Sequence, residues 1–305
     1  MAQPLLARLH AKHPGARIDM VAPPWVAPVA RRMPEVSEVI EADLRHGELQ
    51  LGDRWRLGRS LKERAYDLAI VLPNTMKSAL APSFAGIPLR VGYLGESRHG
   101  LLNRIHKTAQ PREPMPVHYA RLAEEPGAEP ALPLPVAALS FSKEKIKATA
   151  DRFGISGAYT VICPGAEYGP AKRWPHFRDL TAKLGRQVVL LGSPGDLKDG
   201  KDIPGTNLIG RTTLDEAIDL IAGAAMVVSN DSGLMHVAAA AGRPLVALFG
   251  SSSPEHTPPL SAAARVLWLK AACSPCFERV CPLGHFKCMN ELSVDRVLEE
   301  IKSSS

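Results

Sequence analysis

The sequence predicts an α/β protein made of two halves, each a mostly parallel sheet with helices on both faces. Three observations predict it. Short apolar runs of strand length alternate with helix-length segments along most of the chain. The alternation lapses near the middle, where Pro111, Pro114, Pro116, Pro126, Pro130, Pro133 and Pro135 crowd a stretch of weak periodicity, and then resumes. The length of 305 residues is too great for one ordinary domain and suits two. Two Rossmann-like halves, residues 1–135 and 136–305, joined by a proline-rich linker are the simplest architecture that fits.

The first half opens with a helix over 4–13, where Leu5, Leu6 and Leu9 share a face and Pro14-Gly15 follows as a stop. A strand over 16–21 ends at Pro23-Pro24, a helix-like stretch covers 25–32, and 36–41 is a short strand. Tyr66 to Leu72 is an apolar run closed by Pro73, as in a buried parallel strand. A helix over 77–85 and a strand over 89–93 follow. In the second half Ser142 reads as a helix N-cap and Gly154 as its stop. Strands are expected over 158–163, 187–192, 225–229 and 244–249, with helices over 174–184, 232–241 and 294–301. Thr213-Leu214-Asp215-Glu216 is a capping box that opens a helix to Ala224. There is no short repeat and no low-complexity tract beyond the Ser303–Ser305 tail.

Composition excludes several classes. Hydrophobic residues at 45% and charged residues at 22% rule out a wholly disordered chain, and 5% aromatics leave the core to Ala, Val, Leu and Ile. Lys and Arg outnumber Asp and Glu by 37 to 31, a net charge of +6 that fits an anionic partner without choosing its kind. No motif supports a nucleic-acid partner, and none is expected. No apolar run is long enough to span a membrane, since Leu234 to Phe249 is broken by Gly242-Arg243-Pro244. The N-terminus has no signal-peptide pattern, so a cytoplasmic chain with reduced thiols is expected. The dinucleotide fingerprint and the P-loop are both missing, which argues against a dehydrogenase or NTPase.

Four segments carry candidate chemistry. Val227 to His236 runs from an apolar strand through Ser229-Asn230-Asp231-Ser232-Gly233 straight into a helix. A helix N-terminus beyond a parallel strand suits a phosphate, and Asp231 can accept from sugar hydroxyls. The bland alternative is an ordinary N-cap with a core histidine. Cys163 to Pro175 is a Gly/Pro loop carrying Lys172-Arg173, either a clamp for a diphosphate or a solvated basic pair beside a core tryptophan. Asp196, just past the strand ending at Gly192, is either a ribose ligand or a solvated turn acid. Cys273-x2-Cys276-x4-Cys281-x6-Cys288, with His285 inside, holds enough donors for zinc. Its spacing is not that of a common finger or ribbon, so buried thiols or a redox-labile loop remain alternatives, and no metal is assigned.

Across Pro73–Leu80, Gly86–Tyr93, Pro164–Pro175, Asn230–His236 and Cys273–Cys288 the chain resembles the ADP-heptose:lipopolysaccharide heptosyltransferases of glycosyltransferase family 9. The cysteine segment favours the heptosyltransferase II branch over heptosyltransferase I. The resemblance implies a GT-B fold, two Rossmann-like domains facing across a cleft: an acceptor-side domain at 1–135 and an ADP-heptose-binding domain at 136–305. It implies inverting transfer of L-glycero-D-manno-heptose from ADP-heptose to the first heptose of the inner core, carried on Kdo and lipid A. It places Lys172 on the donor diphosphate, Asp231, Ser232, Gly233 and His236 in the donor pocket, and Asp196 on the ribose. Lys172 and Asp231 are the expected catalytic residues. Lys77, Arg90 and Arg98 are candidate contacts for the anionic acceptor, with ordinary surface cations as the alternative for each.

Positive charge at Lys172 and at the helix start faces the leaving diphosphate, so no cofactor is expected for that task. The expected location is cytoplasmic, peripheral at the cytoplasmic face of the inner membrane. The family opens with a strand and a Gly-Asp-Met turn whose aspartate is the general base, and Met1-Ala2-Gln3-Pro4 resembles the residues just after the Gly-Asp pair. No other aspartate in the first half sits in a matching context. The chain as written is therefore expected to bind ADP-heptose and transfer it poorly, with unpaired strand edges in its first half. The rival readings are another sugar-nucleotide transferase of this architecture, a catalytically impaired nucleotide-binding fragment, and a zinc-binding module.

Overall fold

The computed structural model describes residues 1–108 and 112–304; Pro111 of the proline-rich stretch and Ser305 of the serine tail lie outside them. The chain divides into two compact units, Met1–Arg31 with Glu35–Pro135, and Arg32–Pro34 with Val136–Ser305.

The first unit contains, in order, α1 (Gln3–Lys12), β1 (Asp19–Ala22), α2 (Ala27–Ala30), β2 (Glu38–Glu41), α3 (Leu51–Lys62), β3 (Leu68–Val71), α4 (Leu80–Phe84), β4 (Leu89–Tyr93), β5 (Arg104–His106) and α5 (Met115–Ala120). Pro4 sits in the first turn of α1, where its missing N–H would have no helical partner anyway. Leu5 and Leu9 of that helix then pack on Val91, Tyr93 and Leu122. The strands form two sheets. β1 pairs with β2 in parallel, Asp19 opposite Glu38; β3, β4 and β5 form the second, also parallel, with Leu68 opposite Leu89 and Val91 opposite Arg104.

The proline-rich stretch differs from a plain linker. Within it lie α5 and a 3-10 turn at Arg121–Ala123, and Ala120 and Leu122 are buried. Pro116 causes no break because it falls in the first turn of α5.

The second unit contains α6 (Lys143–Arg152), β6 (Tyr159–Cys163), α7 (Phe177–Lys183), β7 (Gln187–Leu190), β8 (Thr206–Asn207), α8 (Leu214–Gly223), β9 (Met226–Asn230), α9 (Gly233–Ala240), β10 (Leu245–Phe249), β11 (Ala264–Trp268), α10 (Lys287–Asn290) and α11 (Val294–Ser303). Its six strands are all parallel, in the order β11-β10-β9-β6-β7-β8. Counted from β6 this is the doubly wound 3-2-1-4-5-6 arrangement, whose direction of winding reverses between β6 and β9.

Every residue of β6, β9 and β10 is buried, which explains their continuous apolar runs. The expected caps form: Ser142 Oγ accepts the Lys145 N–H at 3.2 Å, and both arms of the Thr213–Glu216 box are made. Ile162, Val228 and Leu248 of the sheet pack with Trp174, Phe177, Leu180, Met289 and Val297 in one core.

Candidate functional site

The winding reversal puts the ends of β6 and β9 side by side, with Cys163 opposite Ser229. In an open parallel sheet this is where a ligand crevice forms, beyond the carboxyl ends of the strands. Both exits are tied together by Asn230, a fully buried side chain. Its Nδ2 donates to Pro164 O at 2.7 Å, and its Oδ1 accepts from the Trp174 N–H at 3.1 Å. One amide thus fixes both ends of the loop between Pro164 and Trp174. Trp174 anchors that loop in the core, donating its indole N–H to Leu292 O at 2.8 Å.

The clamp brings Lys172 to Asp231. Lys172 Nζ lies 2.5 Å from Asp231 Oδ2, and Ser252 Oγ donates to the same oxygen at 2.6 Å. The lysine side chain is 14% exposed and the aspartate 4%, so the pair is largely desolvated. Lys172 Nζ also stands 4.7 Å from the centre of the Tyr168 ring. Arg279 lies 5.4 Å from that ring centre.

α9 begins beside this pair. Ser232, its N-cap, makes no side-chain cap bond; its hydroxyl instead lies 3.2 Å from Ser229 Oγ. The first-turn N–H groups are thereby not claimed by a capping side chain. Gly233 is exposed, with open space where a Cβ would sit, so a ligand can approach its backbone. His236 follows one turn in. Desolvation lowers its pKa to about 4, opposed by Asp231 and reinforced by Lys172, which keeps the ring neutral. Lys172, Asp231, Ser232, Gly233 and His236 are therefore brought together as the sequence expects.

Other candidates are placed differently. Arg173 pairs with Asp199 at 3.1 Å rather than standing free beside Lys172. Asp196 is buried and turned back on its own segment: its Oδ2 accepts from Ser193 N at 2.9 Å and from Ser193 Oγ at 2.7 Å. It is a cap, neither a solvated acid nor a carboxylate with both oxygens open to a ribose. Gly165 packs on it so closely that a Cβ would lie 2.1 Å from Asp196 Cγ.

The three acceptor-side cations all serve the backbone. Arg98 is fully buried and donates to Pro73 O at 2.6 Å and to Tyr93 O, a position that withdraws it from any surface ligand. Arg90 donates to Leu101 O at 2.7 Å and Ile87 O at 2.5 Å, and Lys77 to Glu48 O at 2.9 Å.

Asn230 lies inside the motif quoted from the sequence but is given no role there, and Ser252 is not singled out. The available signal for Ser252 was the Ser251-Ser252-Ser253 run one residue after the buried β10, all three buried. Among the described residues no three His, Cys, Asp or Glu side chains stand ready as a metal set. No helix of the described residues is long and apolar enough to cross a membrane.

Three kinds of comparison with known proteins agree. The model of glycosyltransferase family 9 (heptosyltransferase) matches residues 54–287. The lipopolysaccharide heptosyltransferase 2 of Escherichia coli is 44% identical, covering 99% of this chain and 94% of that protein. The lipooligosaccharide heptosyltransferase 2 of Haemophilus influenzae is 42% identical over 88% of this chain and 84% of its own. Among solved structures, the Escherichia coli ADP-heptose lipopolysaccharide heptosyltransferase II superposes with a TM-score of 0.87 at 42% identity, covering 99% of this chain and 93% of that one. The α/β fold of GT-B type read from the sequence is borne out by that superposition.

Proposed function

The chain belongs to glycosyltransferase family 9, the heptosyltransferases, and on that premise we propose that it transfers heptose from ADP-heptose to the inner core of lipopolysaccharide, in the manner of heptosyltransferase II. The finer reading is inverting transfer of L-glycero-D-manno-heptose to the first heptose on Kdo-lipid A, at the cytoplasmic face of the inner membrane. The observation that carries the chemistry is the Lys172–Asp231 pair beside the start of α9, at the winding reversal of a parallel sheet.

The donor diphosphate lies against Lys172 Nζ and the first-turn N–H groups of α9. Transfer breaks the bond from the anomeric carbon to the diphosphate, and its electron pair leaves with ADP. Charge therefore grows on the oxygen that faces the lysine and the helix start, where it is stabilised most. Asp231, itself held by Ser252, keeps Lys172 in place, and the carboxylate faces the hydroxyls of the sugar. Neutral His236 adds no competing charge. In-line attack puts the acceptor hydroxyl, and the base that takes its proton, on the opposite side of the sugar from these residues.

The test is turnover of the purified chain with heptosyl-Kdo2-lipid A as acceptor and ADP-heptose, UDP-sugars or GDP-sugars as donors. Release of ADP above the other nucleotides is the expected result. Equal or faster turnover of a UDP- or GDP-sugar contradicts it.

A further inference from the structure

The segment between β11 and α10, residues 269–286, contains no helix or strand. Structureless stretches of that length inside a compact domain are uncommon without a function or a staple. This one is a clamp on the Lys172 loop. Arg279 O accepts the Ala171 N–H at 3.1 Å, its guanidinium donates to Glu167 O at 3.3 Å, and Tyr168 donates its hydroxyl proton to Phe277 O. Gly169, at φ +146°, passes so close that a Cβ would lie 2.4 Å from Arg279 O. On its other side the segment is held to the loop after β10, with Phe277 N–H on Ser251 O at 2.7 Å and Ser274 Oγ on Gly250 O at 2.5 Å.

Cys273, Cys276, Cys281 and Cys288 line one small cavity under this segment, together with Ala171, Ser251 and His285. All four are free thiols. The cavity measures about 20 Å³, room for one ion or water and not for a four-iron cluster. Two further observations point to an occupant. Ser251 is 1% exposed, yet its Oγ, at the cavity wall, has no hydrogen-bond partner. Cys281 heads a tight turn, its carbonyl accepting the Gly284 N–H at 3.1 Å, and turns of this kind present backbone N–H groups to thiolates at metal and iron–sulfur sites.

We propose that Cys273, Cys276, Cys281 and Cys288 form a tetrahedral thiolate site for one zinc ion, which staples the segment that positions the Lys172 loop. Four sulfurs in tetrahedral array select zinc or iron–sulfur chemistry among the common metals, and the cavity volume selects a single ion. Binding draws the four sulfurs inward by side-chain rotation and releases their protons. His285 stays outside the ligand set, because its Nδ1 accepts the Lys287 N–H at 3.1 Å. The staple itself is independent of the proposed transfer activity; its effect on Lys172 rests on that reading.

The full chain, expressed in zinc-supplemented medium and desalted, is measured for metal content, thiol reactivity and cobalt(II) substitution. The expected result is about one zinc per chain, four thiols that react only after chelation, and cobalt bands typical of a tetrahedral thiolate site. Cys276→Ser and Cys281→Ser lose the metal, while Cys163→Ser and His285→Ala keep it. Metal below about a tenth of an ion per chain after reconstitution, with reactive thiols or a Cys273–Cys276 disulfide, overturns the proposal. An iron–sulfur chromophore overturns the choice of zinc, and zinc retained by both cysteine variants overturns the ligand set. Whether the site binds zinc at all is read from the wild-type chain, so a variant that fails to fold does not blunt that test. Removing zinc also weakens ADP binding by about tenfold, restored on zinc return. Unchanged ADP binding after zinc removal contradicts only the role assigned to Lys172.

Discussion

The two units share a strand–helix alternation, and the cations expected to meet ligands are held in opposite ways. In the first unit Lys77, Arg90 and Arg98 donate to main-chain carbonyls, and Arg98 is wholly enclosed. In the second, Lys172 faces a carboxylate and a tyrosine ring beside a helix start that no side chain caps. A cation on carbonyls is committed, because leaving them would orphan buried acceptors. A cation on a carboxylate next to unclaimed N–H groups can turn to an incoming phosphate at little cost. The partner of a charged group, more than its presence in a polar motif, separates architecture from chemistry here.

Substitutions sharpen or break that contrast. Lys172→Met should lower kcat/KM for ADP release by about 10² to 10³, the loss typical of a group aimed at developing charge, and also lower the melting temperature, because it leaves the buried Asp231 carboxylate without its cation. Steady-state kinetics beside a thermal melt reads both. If stability falls while kcat/KM holds, Lys172 is architectural like the arginines.

Arg98→Met should cost stability alone. It leaves the carbonyls of Pro73 and Tyr93 without their donor and should cost about 1–3 kcal/mol in denaturant unfolding, with ADP affinity retained. Ser252→Ala removes one of the two bonds to Asp231 Oδ2, and a hydrogen bond to a charged group of this kind is worth about 1.5–3 kcal/mol. Its expected effect is about a tenfold fall in kcat/KM, read in the same assay. Thr213→Ala, far from the site, should cost only about 1 kcal/mol of stability through its lost cap and leave kcat/KM unchanged.

His236 supplies a pH test of the same contrast. Its folded pKa of about 4 lies below the ordinary histidine value of 6.5, so the unfolded chain binds more protons between those values. This contribution to stability is full above pH 6.5 and is lost as the pH falls towards 4. Denaturant unfolding from about pH 7 to 4 should show the loss in wild type and a weaker loss in His236→Gln.

The features that were legible in the sequence are those where local chemistry and fold agree. Val227 to Gly233 shows an apolar strand, a polar turn and a helix start in a row, and the strand order then puts Asp231 at the crevice. The Thr213 box and the Ser142 cap were readable for the same reason. Arg98 was not, because Gly95-Glu96-Ser97-Arg98 looks like a solvated turn and only the tertiary structure closes over it. Asp196 was legible as an acid after a strand, but not as a cap, since both outcomes begin from the same position. β5, β8 and β11 escaped because the first two are too short for a period and β11 is an edge strand with exposed Arg265 and Val266. Ser252 sits in a run of serines that reads as any loop, and its role exists only because β10 neighbours β9.

The central claim is that the donor diphosphate lies where β6 and β9 part. The most direct measurement is a crystal structure of the full chain with ADP. The diphosphate is expected within hydrogen-bond distance of Lys172 Nζ and of the backbone N–H groups that open α9. A diphosphate bound elsewhere, with the Lys172–Asp231 pair undisturbed and the α9 start empty, would contradict it.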